Sequence, residues 1–279
     1  MNSPASSNGG SHSALGPVSR SLNVVRFLSE SGRTTIREAS AALELAPSTV
    51  HRLLDILVRD GMVERDKRER CYRIGPELFR IAAKIVERYD IRTLALPFLH
   101  EVVELCDETC FIGLYLPLPR KMIFAEKVDS SQLLRYQLPM NTPMSVFWGA
   151  SGRAILAYLP EDEIRRIHCE ERPAPGSAEQ VPSLAALQRE IAKIRAGGFA
   201  ISHGQKIKGA VGISAPVFGA SGAVIGSFGV TVPQFKLKAA DERRLGLLLR
   251  EKAAALSSRL GAPTDATLSP QASQVKRKR

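Results

Sequence analysis

Between residues 19 and 76 the apolar positions first recur at helical spacing and then shift to short β-rich runs, which predicts three helices and a hairpin. The first helix is expected from Ser19 to Ser31, with Leu22, Val25 and Leu28 on one face and Gly32 as its end. Thr35-Ile36-Arg37-Glu38 matches a capping box, in which the hydroxyl and the carboxylate each take an amide left free at a helix start. It predicts a short helix through Leu43. After a turn at Glu44, Leu45 and Ala46, Pro47 stands where proline is tolerated best, at the first position of the next helix. In that helix, Pro47 to Arg59, the residues Val50, Leu53, Leu54 and Leu57 form one buried stripe. Ser48, His51, Arg52, Asp55 and Arg59 face the other way, with Thr49 at the margin. Gly61 ends the helix, and Met62 to Arg65 and Cys71 to Ile74 read as strands flanking Asp66-Lys67-Arg68-Glu69-Arg70.

Two short helices joined by a tight turn, the second carrying small polar and basic residues near its start, suit entry into a DNA major groove. Taken alone, the same segment fits an ordinary helical hairpin with a solvated face equally well. The basic-tipped hairpin directly after it decides for a winged helix-turn-helix, because such a wing meets the sugar-phosphate backbone. The candidate DNA-facing residues are Thr35, Ser48, Thr49, His51 and Arg52 on the helices and Lys67, Arg68, Arg70 and Arg73 in the wing. Double-stranded DNA is the expected partner, an arginine reading guanine and hydroxyls holding phosphate.

Further on, Leu78, Ile81, Ala82, Ile85 and Tyr89 give an amphipathic stripe suited to joining two domains or two chains. Residues 92–262 alternate strand-like and helical patterns, an α+β layout. Strands are expected at Phe111 to Leu116, Lys121 to Val128, Val211 to Val217 and Val224 to Val232. Helices are expected at Leu94 to Leu105, Ala150 to Leu159, Leu184 to Ala196 and Asp241 to Leu260. Residues 1–17 and 263–279 lack a periodic apolar pattern and are expected to be disordered tails, the second ending in Lys276-Arg277-Lys278-Arg279.

Composition adds little to this division. A 44% hydrophobic and 24% charged chain is of the ordinary folded kind, and the absence of a long apolar run or a signal-like start makes the cytoplasm the expected compartment, with no membrane partner. The net charge of +11 favours polyanions, but the winged segment holds 11 basic against 8 acidic side chains, so local arrangement rather than total charge decides. Cys71, Cys106, Cys110 and Cys169 are too scattered for a disulfide framework. Cys106 and Cys110 have the spacing of one helix face, as buried thiols rather than a metal site. His100, His168 and His203 lack metal-ligand spacing, no cofactor fingerprint occurs, and neither metal nor cofactor is expected. Gly149-Ala150-Ser151-Gly152 has part of a nucleophile-elbow pattern, but Arg153 replaces its second glycine, and a strand-to-helix turn explains the glycines as well. No catalytic residue is assigned; a small-molecule enzyme with an accessory winged domain, or a winged domain used for protein contacts, are the competing readings.

Ser48-Thr49-Val50-His51-Arg52-Leu53-Leu54, Asp60-Gly61-Met62-Val63 and Tyr72-Arg73-Ile74-Gly75-Pro76 together resemble the DNA-binding domain of the IclR family of bacterial regulators. The resemblance resumes at Gly149 to Ala154, Pro160, Gly197-Gly198-Phe199-Ala200 and Gly209 to Phe218, and so runs from about residue 18 to 262. It implies a winged helix-turn-helix over 18–76, a linker helix over 77–91 and a GAF-like effector-binding domain with an antiparallel sheet over 92–262. A homodimer or a dimer of dimers is expected, because one helix-turn-helix buries little DNA surface and symmetric dimers read two half-sites. The family's effector positions fall on Ala150, Ser151, Ser202, Gly212, Gly229 and Thr231. Relatives that sense small keto acids carry an aspartate where this chain has Ser202 and a serine where it has Gly229. A larger or aromatic organic acid, aromatic or hydrophobic rather than a keto acid, is therefore the expected effector, with Phe147, Trp148 and Phe228 near in sequence as ring partners or as plain core.

Overall fold

The structure, a computed structural model, describes residues 16–66, 68–88, 90–133 and 136–263, with backbone alone for 85–88 and 239. The chain divides into two compact units, one ending at Tyr89 and one beginning at Asp90. In the first unit α1 (Pro17–Ser31), β1 (Arg33–Thr34), α2 (Ile36–Leu43), α3 (Pro47–Arg59), β2 (Val63–Asp66), β3 (Cys71–Ile74) and α4 (Pro76–Arg88) follow in order. Val24, Leu28, Ala39, Val50, Leu53, Leu54, Leu57, Val63 and Tyr72 make its core. The predicted face of α1 is corrected: Val24 and Leu28 are buried, and Leu22 is 52% exposed. Residues three apart drift about 60° around a helix per step and four apart about 40°, so a 22, 25, 28 series fans away from the seam that 24 and 28 hold. The capping box forms. Thr35 Oγ1 accepts from the Glu38 amide at 3.2 Å, and Glu38 Oε2 accepts from the Thr35 amide at 2.7 Å, which starts α2 directly after β1. Sheet order is β1-β3-β2, so the hairpin gains a two-residue third strand that the sequence reading lacked.

The second unit contains α5 (Ile91–Cys106), β4 (Thr109–Leu116), β5 (Lys121–Val128), β6 (Met144–Ser145), α6 (Gly149–Leu156), α7 (Glu161–Glu170), α8 (Leu184–Gly197), β7 (Ala200–His203), β8 (Ala210–Phe218), β9 (Val224–Pro233) and α9 (Ala239–Arg259). The described residues form one antiparallel sheet of order β6-β5-β4-β9-β8-β7, in which Thr109 of β4 pairs with Thr231 of β9. Strand side chains alternate between faces. Cys110, Ile112, Val211, Ile213, Ala215, Val217, Phe228, Val230 and Val232 join Leu99, Val102, Leu249 and Leu256 of α5 and α9 in one core. The opposite face carries Phe111, Met122 and Phe124 together with α6, α7 and α8. Cys106 and Cys110 do not share a helix: the left-handed Asp107, at φ 48°, ends α5 between them, and Cys110 lies on β4. Among the described residues no helix is long and apolar enough to cross a membrane. Residues 1–15 and 264–279, where disordered tails were expected, lie outside the described residues, and Pro17 belongs to α1.

Candidate functional site

In the first unit, burial of Val50, Leu53, Leu54 and Leu57 fixes the rotation of α3 and turns Ser48, His51 and Arg52 to solvent, with Thr49 half-buried. His51 Nδ1 lies 3.1 Å from Asp55 Oδ2, one turn on, whereas Arg52 forms no ion pair among the described residues. Thr35 is half-buried and its hydroxyl is committed to the capping box. At the hairpin tip the carboxylate of Asp66 accepts the amides of Arg68 and Glu69, at 2.9 and 3.0 Å, which hold it below the usual carboxylate range. Arg73 reaches both Asp66 (3.3 Å) and Glu69 (3.2 Å), and Arg33 reaches Glu69 at 2.8 Å. Of the basic wing, then, Arg73 is spoken for by acids, Arg68 and Arg70 are exposed, and Lys67 lies outside the described residues. Asp66, Glu69 and Cys71 bring ligand atoms within 4.8 Å of one another, yet these ion pairs and amide bonds already use the two carboxylates.

In the second unit a cavity of about 390 Å³ opens against the α6 face of the sheet. Ala150, Ser151, Ser202, Gly212 and Thr231 line it, and Phe111, Phe124 and Trp148 supply aromatic wall. Gly149 begins α6 at φ 77°, a backbone conformation that favours glycine, and an added Cβ there would stand 2.9 Å from Cδ of Lys206. The first free amides of α6 are already used: Gly149 N–H donates to Gln205 Oε1 at 3.1 Å and Ala150 N–H to Ser202 Oγ at 2.8 Å. Because Ser202 accepts from Ala150, its own hydroxyl proton remains to be donated to a guest. Ser151 Oγ lies 3.2 Å from Ser214 Oγ. Two of the unit's histidines are engaged away from the cavity, His168 at the Pro182 carbonyl and His203 at Glu242.

Gly229 does not line the cavity, contrary to expectation. It pairs with Ser214 on the neighbouring strand, and an added Cβ would meet Ser214 Oγ at 2.0 Å and the Ile213 carbonyl at 2.6 Å. Ser214, which does not line the cavity either, fills from β8 the space a side chain at 229 would take. Phe228 points to the opposite, α5/α9 side of the sheet, and Phe147 is core, so only Trp148 of the three neighbouring aromatics reaches the cavity. Trp148 is held from behind: its Nε1–H donates to the Arg172 carbonyl at 2.8 Å, and the Arg153 guanidinium lies 5.6 Å from its ring and 4.3 Å from that of Phe147. Arg153 is 1% exposed, with Glu190 at 3.4 Å as its ion-pair partner. Sequence reasoning missed Glu171 and Lys206, which also line the cavity. Burial pushes the Lys206 ammonium down to about 7 against the opposing charge of Glu171. Both residues sit in irregular segments, where periodicity says nothing about direction.

Two family models cover most of the chain: the IclR helix-turn-helix domain matches residues 17–67, and the bacterial transcriptional regulator IclR C-terminal domain matches residues 83–258. The HTH-type transcriptional regulator BhcR of Paracoccus denitrificans is 26% identical over 249 residues, 89% of this chain and 88% of its own length. The crystal structure of an IclR transcriptional regulator from Silicibacter sp. TM1040 superposes with a TM-score of 0.74 at 24% identity, over 91% of this chain and 100% of that one. An IclR homologue from Microbacterium hydrocarbonoxydans, crystallised with 4-hydroxybenzoate, has a TM-score of 0.54 at 21% identity, over 88% and 99% of the two chains. The matched families are regulators, which removes the enzyme reading of the second unit.

Proposed function

The chain belongs to the IclR family of bacterial transcriptional regulators, and from that premise we propose that it binds an operator as a homodimer or dimer of dimers and releases or tightens its hold when an organic acid enters the second unit. The observation that carries the DNA half is the polar face of α3, with Ser48, His51 and Arg52 exposed beside a basic hairpin. Thr49, Arg68 and Arg70 add phosphate contacts. The acid half is supported by the cavity: an aromatic wall, the hydroxyls of Ser151, Ser202 and Thr231, and one half-buried cation. A relative crystallised with 4-hydroxybenzoate agrees with a ring-bearing ligand. The protein acts in the cytoplasm, and dimerisation uses the Leu78 and Ile81 side of α4, beside which Phe79 is 75% exposed. One helix-turn-helix buries too little DNA surface for tight binding, which is why two copies are required.

Selection of bound DNA fragments, followed by titration of the preferred site, tests this reading. Arg52→Ala is expected to lose about 1 to 3 kcal/mol at that site and to relax its sequence preference. Arg68→Ala should weaken all sequences alike and flatten the salt dependence. A saturating acid should shift operator affinity by about 1 to 3 kcal/mol in one direction. Unchanged affinity and preference in Arg52→Ala would overturn the recognition-helix assignment.

A further inference from the structure

Lys206 is the least explained charge in the second unit. Its stem crosses Gly149, and its Nζ lies inside the cavity wall, 3.5 Å from the Met122 sulfur and 6.0 Å from the centre of the Phe124 ring. Neither is a strong acceptor, and among the described residues no carboxylate forms an ion pair with it. β5 turns Met122 and Phe124 toward it and α6 turns Gly149, all uncharged. Glu171, after α7, is the charged group that acts on it, but that carboxylate accepts the Ser145 hydroxyl and the Arg172 amide. Glu179 is bound to Gln205 at 3.1 Å, and Arg153 lies behind Trp148. A cation with no carboxylate at ion-pair distance, its ammonium beside a thioether and a ring at the edge of an open cavity, is a poor structural element and a good receptor for an anion.

Resting on the reading of this cavity as an organic-acid site, we infer that Lys206 is the carboxylate anchor and that the effector is an aromatic monocarboxylate, its acid group at Lys206 and its ring against Phe111, Phe124 and Trp148. The hydroxyls of Ser202 and Thr231 complete the acid's hydrogen bonds. Glu171, which shares the lining, disfavours a guest that carries a further negative charge. Binding then carries a proton with it. The free ammonium titrates near 7, and a bound carboxylate raises that value, so around neutrality the complex takes up roughly half a proton and affinity falls as the pH rises above 7.

Calorimetry on the full chain with benzoate, its uncharged isostere benzamide and the dicarboxylate terephthalate tests this, each titration repeated at pH 7 in buffers of different ionisation enthalpy. Benzoate should bind with proton uptake, and benzamide and terephthalate at least about 10-fold more weakly. Lys206→Met should weaken benzoate about 10- to 100-fold, abolish the proton uptake and leave benzamide unchanged; Lys206→Arg should keep most of the affinity. Equal benzoate binding by wild type and Lys206→Met, without proton uptake, would overturn the anchor and leave the organic-acid cavity standing. No binding of any of the three would overturn both. Thermal unfolding of the ligand-free proteins gives a control that needs no effector. A lysine whose folded value lies below its unfolded one destabilises fully below about pH 7 and ceases to do so as the pH rises toward the unfolded value near 10.4. Lys206→Met should therefore melt above wild type at pH 6, with the gap closing as pH rises; a lower melting point at pH 6 would show Lys206 to be an ordinary structural contact.

Discussion

The two faces of the six-stranded sheet are made by the same strands and could hardly differ more. Along β8, Val211, Ile213, Ala215 and Val217 fill the side covered by α5 and α9, while Gly212 and Ser214 look the other way; along β9, Phe228, Val230 and Val232 alternate with Ser227, Gly229 and Thr231. One face is branched and aromatic, and closes into a dry core. The other is glycine, serine and threonine along these two strands, with Phe111, Met122 and Phe124 beside them on β4 and β5, and under α6 it leaves about 390 Å³ unfilled. Small residues at every second position create room, and their hydroxyls make that room polar without adding charge. Charge comes from a loop, through Lys206. A sheet can thus carry stability on one side and specificity on the other, with strand alternation keeping the two apart.

If that division holds, substitutions on the two faces must separate stability from binding. Ile213→Ala, in the filled face, should cost about 2 to 5 kcal/mol in denaturant unfolding and leave benzoate affinity of the folded protein unchanged; a loss below about 1 kcal/mol would mean that this face is not the stabilising one. Gly229→Ala lies on the open face but away from the cavity lining, and its Cβ would meet Ser214 and the Ile213 carbonyl, so about 1 to 3 kcal/mol is expected. Adding Ser214→Gly should recover part of this, the side-chain share, because the carbonyl remains. Full tolerance of Gly229→Ala would mean that the two strands are not so closely apposed. Thr231→Val sharpens the contrast most at the smallest energy: stability should stay within about 0.5 kcal/mol while acid binding weakens, and unaltered binding would remove Thr231 from the site.

Much of this was legible in the sequence, and the misses have physical causes. Long periodic segments such as Pro47 to Arg59 and Ala210 to Phe218 announce their elements because each buries a continuous stripe. Helix α7 was missed because, between charged residues, it buries only Ile164 and Ile167, too few to register as a period. β1 and β6, of two residues each, exist only through partners distant in sequence. At the site, the strand and α6 positions Ala150, Ser151, Ser202, Gly212 and Thr231 were found by resemblance and do line one cavity. Gly229 was misplaced because Ser214 on the adjacent strand fills the space beside it, and pairing register is not written in either strand alone. Phe228 follows from parity: it is one residue from Gly229 and therefore on the other face.

The pairing of β4 with β9 has a bearing on how the chain is made. Thr109 finds its neighbour only when Thr231 has been synthesised, and α9, which seals the dry face, comes later still. The first unit closes through contacts among α1, α2, α3 and a hairpin that follow one another directly, so it can form while the ribosome is still at work. The second must wait with β4 and β5 unaccompanied until nearly the whole chain has emerged. During that interval its apolar strands are exposed to aggregation and to chaperones, and a truncation before β9 should leave a nascent chain whose winged unit is folded and whose sensor is not.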